Sequence, residues 1–376
     1  MNRGGGRKEK KAKALTSPPR RDTIRKNERR RVLNHCQTRP FAEYRSAIPR
    51  ESVPVGRYAP TPSGRLHLGN LYCALLSWLS VKSRGGKILL RVEDLDRERL
   101  SDMKDRTAEM LHDLAALGLT FDGGYDESEY QSRRAAVYES ALRELDEKGL
   151  LYPCYCSRAE LHAATAPHLE DGRVAYDGKC RRFRMGPGAL DRLLQNPDVM
   201  PSGEKAKKRP SIRIAVPHEE VTFTDGLRGD YGENLSLGGD PILRRADGVY
   251  AYQLAVTVDD GLTGVSEVLR GRDLLGSTPG QIWLLRTLGL PVPTYRHVPL
   301  LLAPDGRRLS KRDGDDALDG YLSRGFTPAD VIGLIAYNAG LIPEPASLTL
   351  KELLPLYDEK KIPKEDIYLR DYLLKR

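Results

Sequence analysis

The sequence predicts an α/β protein built on a parallel sheet, and three observations carry that expectation. Two strand-like runs, "VPVGRYAP" and "KILLRVEDLD", enclose a helix-like run within about 40 residues; amphipathic helical patterns follow; and strand signals return from Ser211 after an irregular, cysteine-bearing stretch.

"VPVGRYAP" reads as a strand closed by a proline turn. "TPSGRLHLGNLYCALLSWLSVKSRGG" reads as a turn and then a helix, because Leu71, Leu75 and Leu79 recur at helical spacing. "KILLRVEDLD" is a continuous apolar strand ending in carboxylates. Strand, helix, strand makes a βαβ unit, whose parallel pairing places a ligand site at the C-terminal ends of the strands. "SDMKDRTAEMLHDLAALGL", with Ser101 as N-cap and Gly118 as stop, and "SRRAAVYESALRELDEKGL" are two further amphipathic helices. After residues 151–210, "SIRIAV", "VTFTD", "GVYAYQLAVTVDD" and "GVSEVLRG" carry strand signals, "STPGQIWLLRTLGL" returns to helical periodicity, and "PADVIGLIAYNAGL" and "LTLKELLPLY" continue it. The expected divisions are a tail (1–51), the first half of the sheet domain (52–150), an insert (151–210), the second half (211–325) and a helical C-terminal region (326–376).

With 376 residues, 39% apolar and 30% charged, the chain has room for two or three cores. No apolar run approaches the roughly 18 residues of a membrane helix, so no membrane partner is expected. The net charge of +9 is unevenly placed: residues 1 to 40 hold fourteen Lys and Arg against Glu9, Asp22 and Glu28, so they carry +11 and the rest of the chain −2. The excess belongs to a tail expected to be disordered, with order beginning near residue 52. A tRNA-attracting arm, a solubilising extension and a start assigned too far upstream are all open readings of it. Arg20-Arg21 lacks the apolar segment of a twin-arginine signal, and the tail is lysine-rich for a mitochondrial presequence. Five cysteines without a secretory signal point to a reducing, cytoplasmic setting, where clustered thiols more often bind metal than pair.

"RLHLGN" puts His67 and Gly69 at a helix start, where a glycine admits a nucleotide and the helix N-terminus favours phosphate. "RRLSKRDG" is a basic loop around Lys311. Each alone is an ordinary cap or surface turn. Together, about 240 residues apart, they resemble the paired signatures of class I aminoacyl-tRNA synthetases. "GRYAPTPSGRLHLGN", "RVEDLD", "YAYQLAVTVDD", "VLRGRDLLGSTPGQI" and "HVPLLLAPDGRRLSKRDG" resemble the glutamyl branch, from about Val55 to Asn338.

The resemblance implies a Rossmann-like catalytic sheet with an inserted zinc-containing subdomain and a short helical C-terminal region. It also implies roles. Arg57 and Arg270 match arginines that read glutamate carboxylates, a task for which a planar fork is suited. Glu93 matches the acid that receives the ammonium, Tyr252 completes the pocket, and Tyr58, Ala59, Pro60 and Thr61 line it. His67 and Lys311 are the expected catalytic residues, neutralising charge on ATP phosphates that Mg²⁺ accompanies, with Gly69, Asn70, Arg308, Leu309 and Ser310 as further ATP contacts. This sequence departs from the family pattern twice: Asn70 stands for a second histidine and cannot carry charge, and Arg308 stands for the first lysine of the loop.

A glutamate–tRNA ligase of this branch continues into an anticodon-reading helical domain, whereas this chain ends about 60 residues after Lys311. That length resembles the glutamyl-queuosine tRNA(Asp) synthetases. The family activates L-glutamate without tRNA and transfers it to the cyclopentenediol of queuosine in the anticodon loop of tRNA(Asp). A truncated or discriminating glutamyl-tRNA synthetase is the alternative; the presence of both His67 and Lys311 argues against a non-catalytic paralogue. Cys154-x-Cys156 followed by Tyr176-x-x-x-Cys180 reproduces the family's zinc pattern. Three thiolates are one short of a tetrahedral Zn²⁺ site, and Tyr176, His162 and His168 compete for the fourth place. Four protein ligands would make the zinc structural, Cys36 and Cys73 are expected bystanders, and a monomer is expected.

Overall fold

The computed structural model describes residue 1 and residues 39–62, 64–95, 103–157, 160, 175–203, 205–309 and 317–373. The basic segment 2–38, the cap at Ser101, His162, His168, Ser310 and Lys311 lie outside the described residues.

The first ordered element is a helix, α1 (Phe41–Ser46), upstream of the expected onset of order at residue 52. Phe41 is buried, and Arg45 Nη1 donates to the Leu288 carbonyl at 2.8 Å and to Glu144 at 3.1 Å. Six residues are too few to hold a helix alone, so tertiary anchoring orders α1, and sequence periodicity could not reveal it.

β1 (Val55–Tyr58), α2 (Leu68–Lys82) and β2 (Lys87–Leu90) form the expected βαβ unit, with Arg57 opposite Leu89 in a parallel pair. Leu68, Leu71, Leu75 and Leu79 of α2 are fully buried, and truncating one of them costs about 2–5 kcal/mol. β2 is shorter than the continuous strand expected. Beyond it the chain still follows β1: Arg91 N–H donates to the Tyr58 carbonyl at 2.9 Å and Glu93 N–H to that of Pro60 at 3.0 Å. α3 (Met103–Ala116) gives way to Gly118 at φ 75°, the left-handed stop read from the sequence. The chain then returns beside β2, where Gly124 sits at φ 93° and an added Cβ would stand 1.6 Å from the Leu90 carbonyl oxygen. Only glycine fits that approach.

α4 (Ala135–Glu147) leads into β3 (Leu151–Cys154). Within the stretch expected to be irregular, β3 and α5 (Leu190–Gln195) are regular, and β3 pairs antiparallel with β4 (Ser211–Ile214), the first strand expected after it, Leu151 opposite Ile214. β5 (Glu220–Asp225) and β6 (Gly229–Asn234) form a hairpin, α6 (Leu235–Gly238) is a single turn, and β7 (Ile242–Arg244) pairs with the other edge of β4.

"GVYAYQLAVTVDD" is not a strand. It holds α7 (Tyr252–Leu262), in which Leu254, Ala255 and Val258 bury one face in a core shared with α4. The valines' strand preference is small beside that burial. β8 (Glu267–Gly271), α8 (Thr278–Thr287) and β9 (Thr294–Val298) make a second parallel βαβ unit. Ser266 N–H donates to the Val55 carbonyl at 2.9 Å, joining the two units side by side at β1 and β8.

β10 (Leu301–Leu302), α9 (Leu318–Ser323), α10 (Pro328–Asn338), α11 (Leu350–Leu353) and β11 (Ile367–Tyr368) follow, with β11 parallel to β10. Capping boxes start α10 (Thr327, Asp330) and α11 (Thr349, Glu352). α11 is shorter than "LTLKELLPLY" suggested, because Pro355 falls in the 3-10 turn that ends it. Val331, Leu334 and Ile335 of α10 share one core with Leu71, Leu75 and Leu79 of α2. Among the described residues no helix is long and apolar enough to cross a membrane.

Candidate functional site

β1 and β8 each carry an arginine buried to 5% exposure near the strand's C-terminal end. Arg57 Nε donates to Asp260 Oδ1 at 3.2 Å and Nη1 to the Leu269 carbonyl at 3.4 Å. The same Asp260 oxygen accepts from Arg91 Nη1, while Arg91 Nη2 donates to Glu93 at 3.3 Å. Burial works to raise the Asp260 carboxyl, and Arg57 and Arg91 more than offset it and hold it low. Glu93 moves the other way, burial pushing it up against the pull of Arg91 and Arg57.

Arg270 faces β9. Its Nε donates to His297 Nε2 at 3.0 Å and its Nη2 to Thr278 Oγ1 at 2.8 Å, and the guanidinium packs 5.3 Å from the Tyr295 ring centre. Nη1 is buried with no hydrogen-bond partner among the described residues. His297 Nδ1 meets Asp225 Oδ2 at 2.6 Å.

These groups border a cavity of about 620 Å³. Its walls include Arg57, Glu93, Tyr252 and Arg270, with Tyr58, Ala59, Pro60 and Thr61 from the loop after β1. His67, Asn70 and Leu309 line the same cavity, so two separate stretches expected to touch ATP meet those expected to touch glutamate. His67 is the N-cap of α2, Nδ1 accepting from Asn70 N–H at 3.3 Å. A Cβ at Gly69 would stand 3.1 Å from the His67 ring, so glycine lets the imidazole lie over the first turn. Asn70 is held through its carbonyl, which accepts from Tyr58 Oη at 3.2 Å. Arg308 points to the surface, 3.3 Å from Asp273, and Gly69 and Arg308 are not part of the cavity wall.

The sequence reading missed four contributors. Asp260 and Arg91 fix Arg57 and Glu93, His297 fixes Arg270, and Cys73, expected to be a bystander, lines the cavity. The carboxylate-rich "TVDD" was the available signal: Asp259 turns away to Gln131, Arg134 and Tyr138, while Asp260 serves the site.

A second cluster lies where β3 ends. The Sγ atoms of Cys154, Cys156 and Cys180 are within 4.8 Å of one another, Cys156 and Cys180 at 3.6 Å. Tyr176 Oη is 3.6 Å from Cys154 Sγ and 3.8 Å from Cys156 Sγ, and accepts from Cys180 N–H at 2.8 Å. A tetrahedral site with bonds of about 2.3 Å has donor–donor edges of about 3.8 Å, so the three thiols could hold a metal ion, and Tyr176 Oη lies beside two of them. Burial pushes the Tyr176 phenol well above the usual tyrosine range, the Cys180 N–H offsets only part of that, and a Cβ at Gly239 (φ 70°) would lie 2.3 Å from the Tyr176 carbonyl oxygen, which keeps the tyrosine's backbone close against α6. Burial pushes Cys156 up to about 12, with Cys154 adding to it, a direction that a bound cation reverses.

A Rossmann-like parallel sheet, a His-x-Gly helix start and paired arginines at the strand ends define a class I synthetase fold. The chain belongs to the tRNA synthetases class I (E and Q), whose catalytic-domain profile matches residues 54–337, and it is accordingly a ligase-type enzyme. A Glutamyl-Q tRNA(Asp) synthetase from Symbiobacterium thermophilum is 47% identical over 320 residues, covering 83% of this chain and 94% of the relative. One from Nocardia farcinica is 44% identical over 318 residues, covering 84% and 93%. Among solved structures, a glutamate tRNA ligase from Elizabethkingia meningosepticum in complex with its amino acid aligns with a TM-score of 0.69 at 26% identity, over 85% of this chain and 67% of that one.

Proposed function

We propose that the protein activates L-glutamate with ATP to glutamyl-adenylate without tRNA and then transfers the glutamyl group to the cyclopentenediol of queuosine in the anticodon loop of tRNA(Asp). The observation that carries this reading is the meeting of Arg57, Glu93, Tyr252 and Arg270 on one cavity, in a chain whose relatives are named Glutamyl-Q tRNA(Asp) synthetase.

Glutamate brings two carboxylates and an ammonium. Arg57 and Arg270 bind the carboxylates, Glu93 takes the ammonium, and the Tyr252 hydroxyl closes the pocket. A substrate carboxylate oxygen attacks the α-phosphorus of ATP, and the bond to pyrophosphate breaks. His67 and Lys311 hold the phosphates as their charge shifts toward the leaving group, with Gly69, Asn70, Arg308, Leu309 and Ser310 as the surrounding ATP contacts. Mg²⁺ accompanying ATP would supply further neutralisation of that charge. A queuosine hydroxyl then attacks the glutamyl carbonyl carbon, and AMP leaves. Cys154, Cys156, Tyr176 and Cys180 suit Zn²⁺ as a closed site that shapes the insert. On this reading the protein works as a cytoplasmic monomer, and its partners are ATP, glutamate and queuosine-containing tRNA(Asp).

Glutamate-dependent ATP–pyrophosphate exchange without tRNA tests the first step. Transfer of labelled glutamate to tRNA(Asp) with and without queuosine tests the second; equal labelling of both, or labelling at the 3′ end, gives the answer to the glutamyl-tRNA synthetase alternative.

A further inference from the structure

We infer that Asp225 and His297 form a positioning relay that orients Arg270, leaving its Nη1 as the donor offered to a substrate carboxylate; this rests on the glutamate reading above and deepens it.

A guanidinium has donors and no acceptor. Arg270 Nε–H donates to His297 Nε2 at 3.0 Å, so that nitrogen bears a lone pair and the imidazole is neutral, with its proton on Nδ1. The Nδ1–H then donates to Asp225 Oδ2 at 2.6 Å. The other oxygen of Asp225 accepts from three backbone N–H groups: Leu227 at 3.0 Å, Arg228 at 3.0 Å and His297 at 3.2 Å. The carboxylate therefore cannot turn, and it dictates the tautomer. Parallel pairing sets Arg270 directly opposite His297, and Thr278, the first residue of α8, accepts from Nη2. Among the described residues every Arg270 donor nitrogen except Nη1 has a hydrogen-bond partner, in a setting where His297 is fully buried and Asp225 nearly so. Burial also pushes the imidazole down to about 4, despite Asp225, so it remains an acceptor near neutral pH.

Asp225→Asn is a nearly isosteric test. Three N–H donors hold the amide oxygen at the Oδ1 position, so the amide NH₂ faces His297 Nδ1, the proton moves to Nε2, and two donors confront each other at Arg270. In ATP–pyrophosphate exchange the variant is expected to raise the glutamate KM about ten-fold or more and to leave the ATP KM within about two-fold. It should also narrow the preference for glutamate over glutamine. His297→Gln, which restores an acceptor near the Nε2 position, should recover part of the loss seen in His297→Ala, which a purely structural role would not predict. Nitrogen-15 NMR of the wild-type protein should show the Nδ1–H tautomer at His297, a readout that needs neither activity nor a folded variant. An Nε2–H imidazole in the wild type, or an unchanged glutamate KM in folded Asp225→Asn, overturns the relay. A wild-type protein with the Nδ1–H tautomer but no glutamate-dependent exchange overturns the glutamate reading, and with it the relay's role in substrate binding.

Discussion

One oxygen of Asp260 serves two arginines: Oδ1 lies 3.2 Å from Arg57 Nε and also accepts from Arg91. The carboxylate sits at 3% exposure beneath the proposed amino-acid pocket, so it is the counter-ion that allows two guanidiniums to be buried there. Asp260→Ala is expected to cost about 3–5 kcal/mol in urea unfolding, because it leaves buried charge uncompensated. Asp260→Asn, which keeps the shape, is expected to fold and to show a raised glutamate KM.

His67 caps α2 and lines the cavity, and Lys311 comes two residues after Leu309 in sequence. If both hold phosphates as pyrophosphate departs, His67→Ala and Lys311→Ala should each lower kcat of exchange about 10²- to 10³-fold with little change in glutamate KM. A loss confined to KM would assign them to ground-state binding instead.

The spacing of Cys154, Cys156, Tyr176 and Cys180 predicts one zinc per chain, measurable by elemental analysis of protein purified without chelator. Tyr176→Phe removes one donor and should release zinc to a chromogenic chelator faster than wild type, whereas mutation of His162 or His168 should not. Retained zinc and unchanged release in Tyr176→Phe would move the fourth place to one of the histidines.

Burial pushes His297 down to about 4 from an unfolded value of 6.5. Between those values the unfolded chain binds a proton that the native state does not, so this contribution to stability is complete above 6.5 and falls as pH drops toward 4. Asp225 is also held low, its hydrogen bond to His297 overcoming the effect of burial, and adds a loss at still lower pH. Melting temperature should therefore decline through that window, and the decline should be shallower in His297→Gln.

Phe41, at 3% exposure in the core shared by α4 and α8, ties α1 to the rest of the chain. Phe41→Ala is expected to lower stability by about 3–5 kcal/mol in denaturant titration. A surface helix would show almost no change.

What could be read from the chain, and what could not, divides along physical lines. The first βαβ unit was legible because Leu71, Leu75 and Leu79 repeat at helical period between two apolar runs. α7 was read as a strand because valines in "LAVTVDD" carry strand preference, and the burial that overrides it comes from α8 and from α4, the latter distant in sequence. Arg57, Glu93, Tyr252 and Arg270 stood out by family pattern. Asp260, His297 and Asp225 did not: they act through another side chain, and the pairings that matter span 203, 27 and 72 residues. The thiol cluster was visible through local spacing, but the Gly239 contact that fixes Tyr176 was not.

The junction of β1 with β8 also sets the order of events during synthesis. Val55 must wait for Ser266, 211 residues later, before its edge of the sheet is covered. At about 5–20 residues per second the interval is roughly 10–40 s, during which the nascent first half presents an unsatisfied strand edge. The antiparallel β3–β4 pair and the β5–β6 hairpin join over shorter separations and can form meanwhile, so the sheet of β1 and β8 closes after the segment that interrupts it.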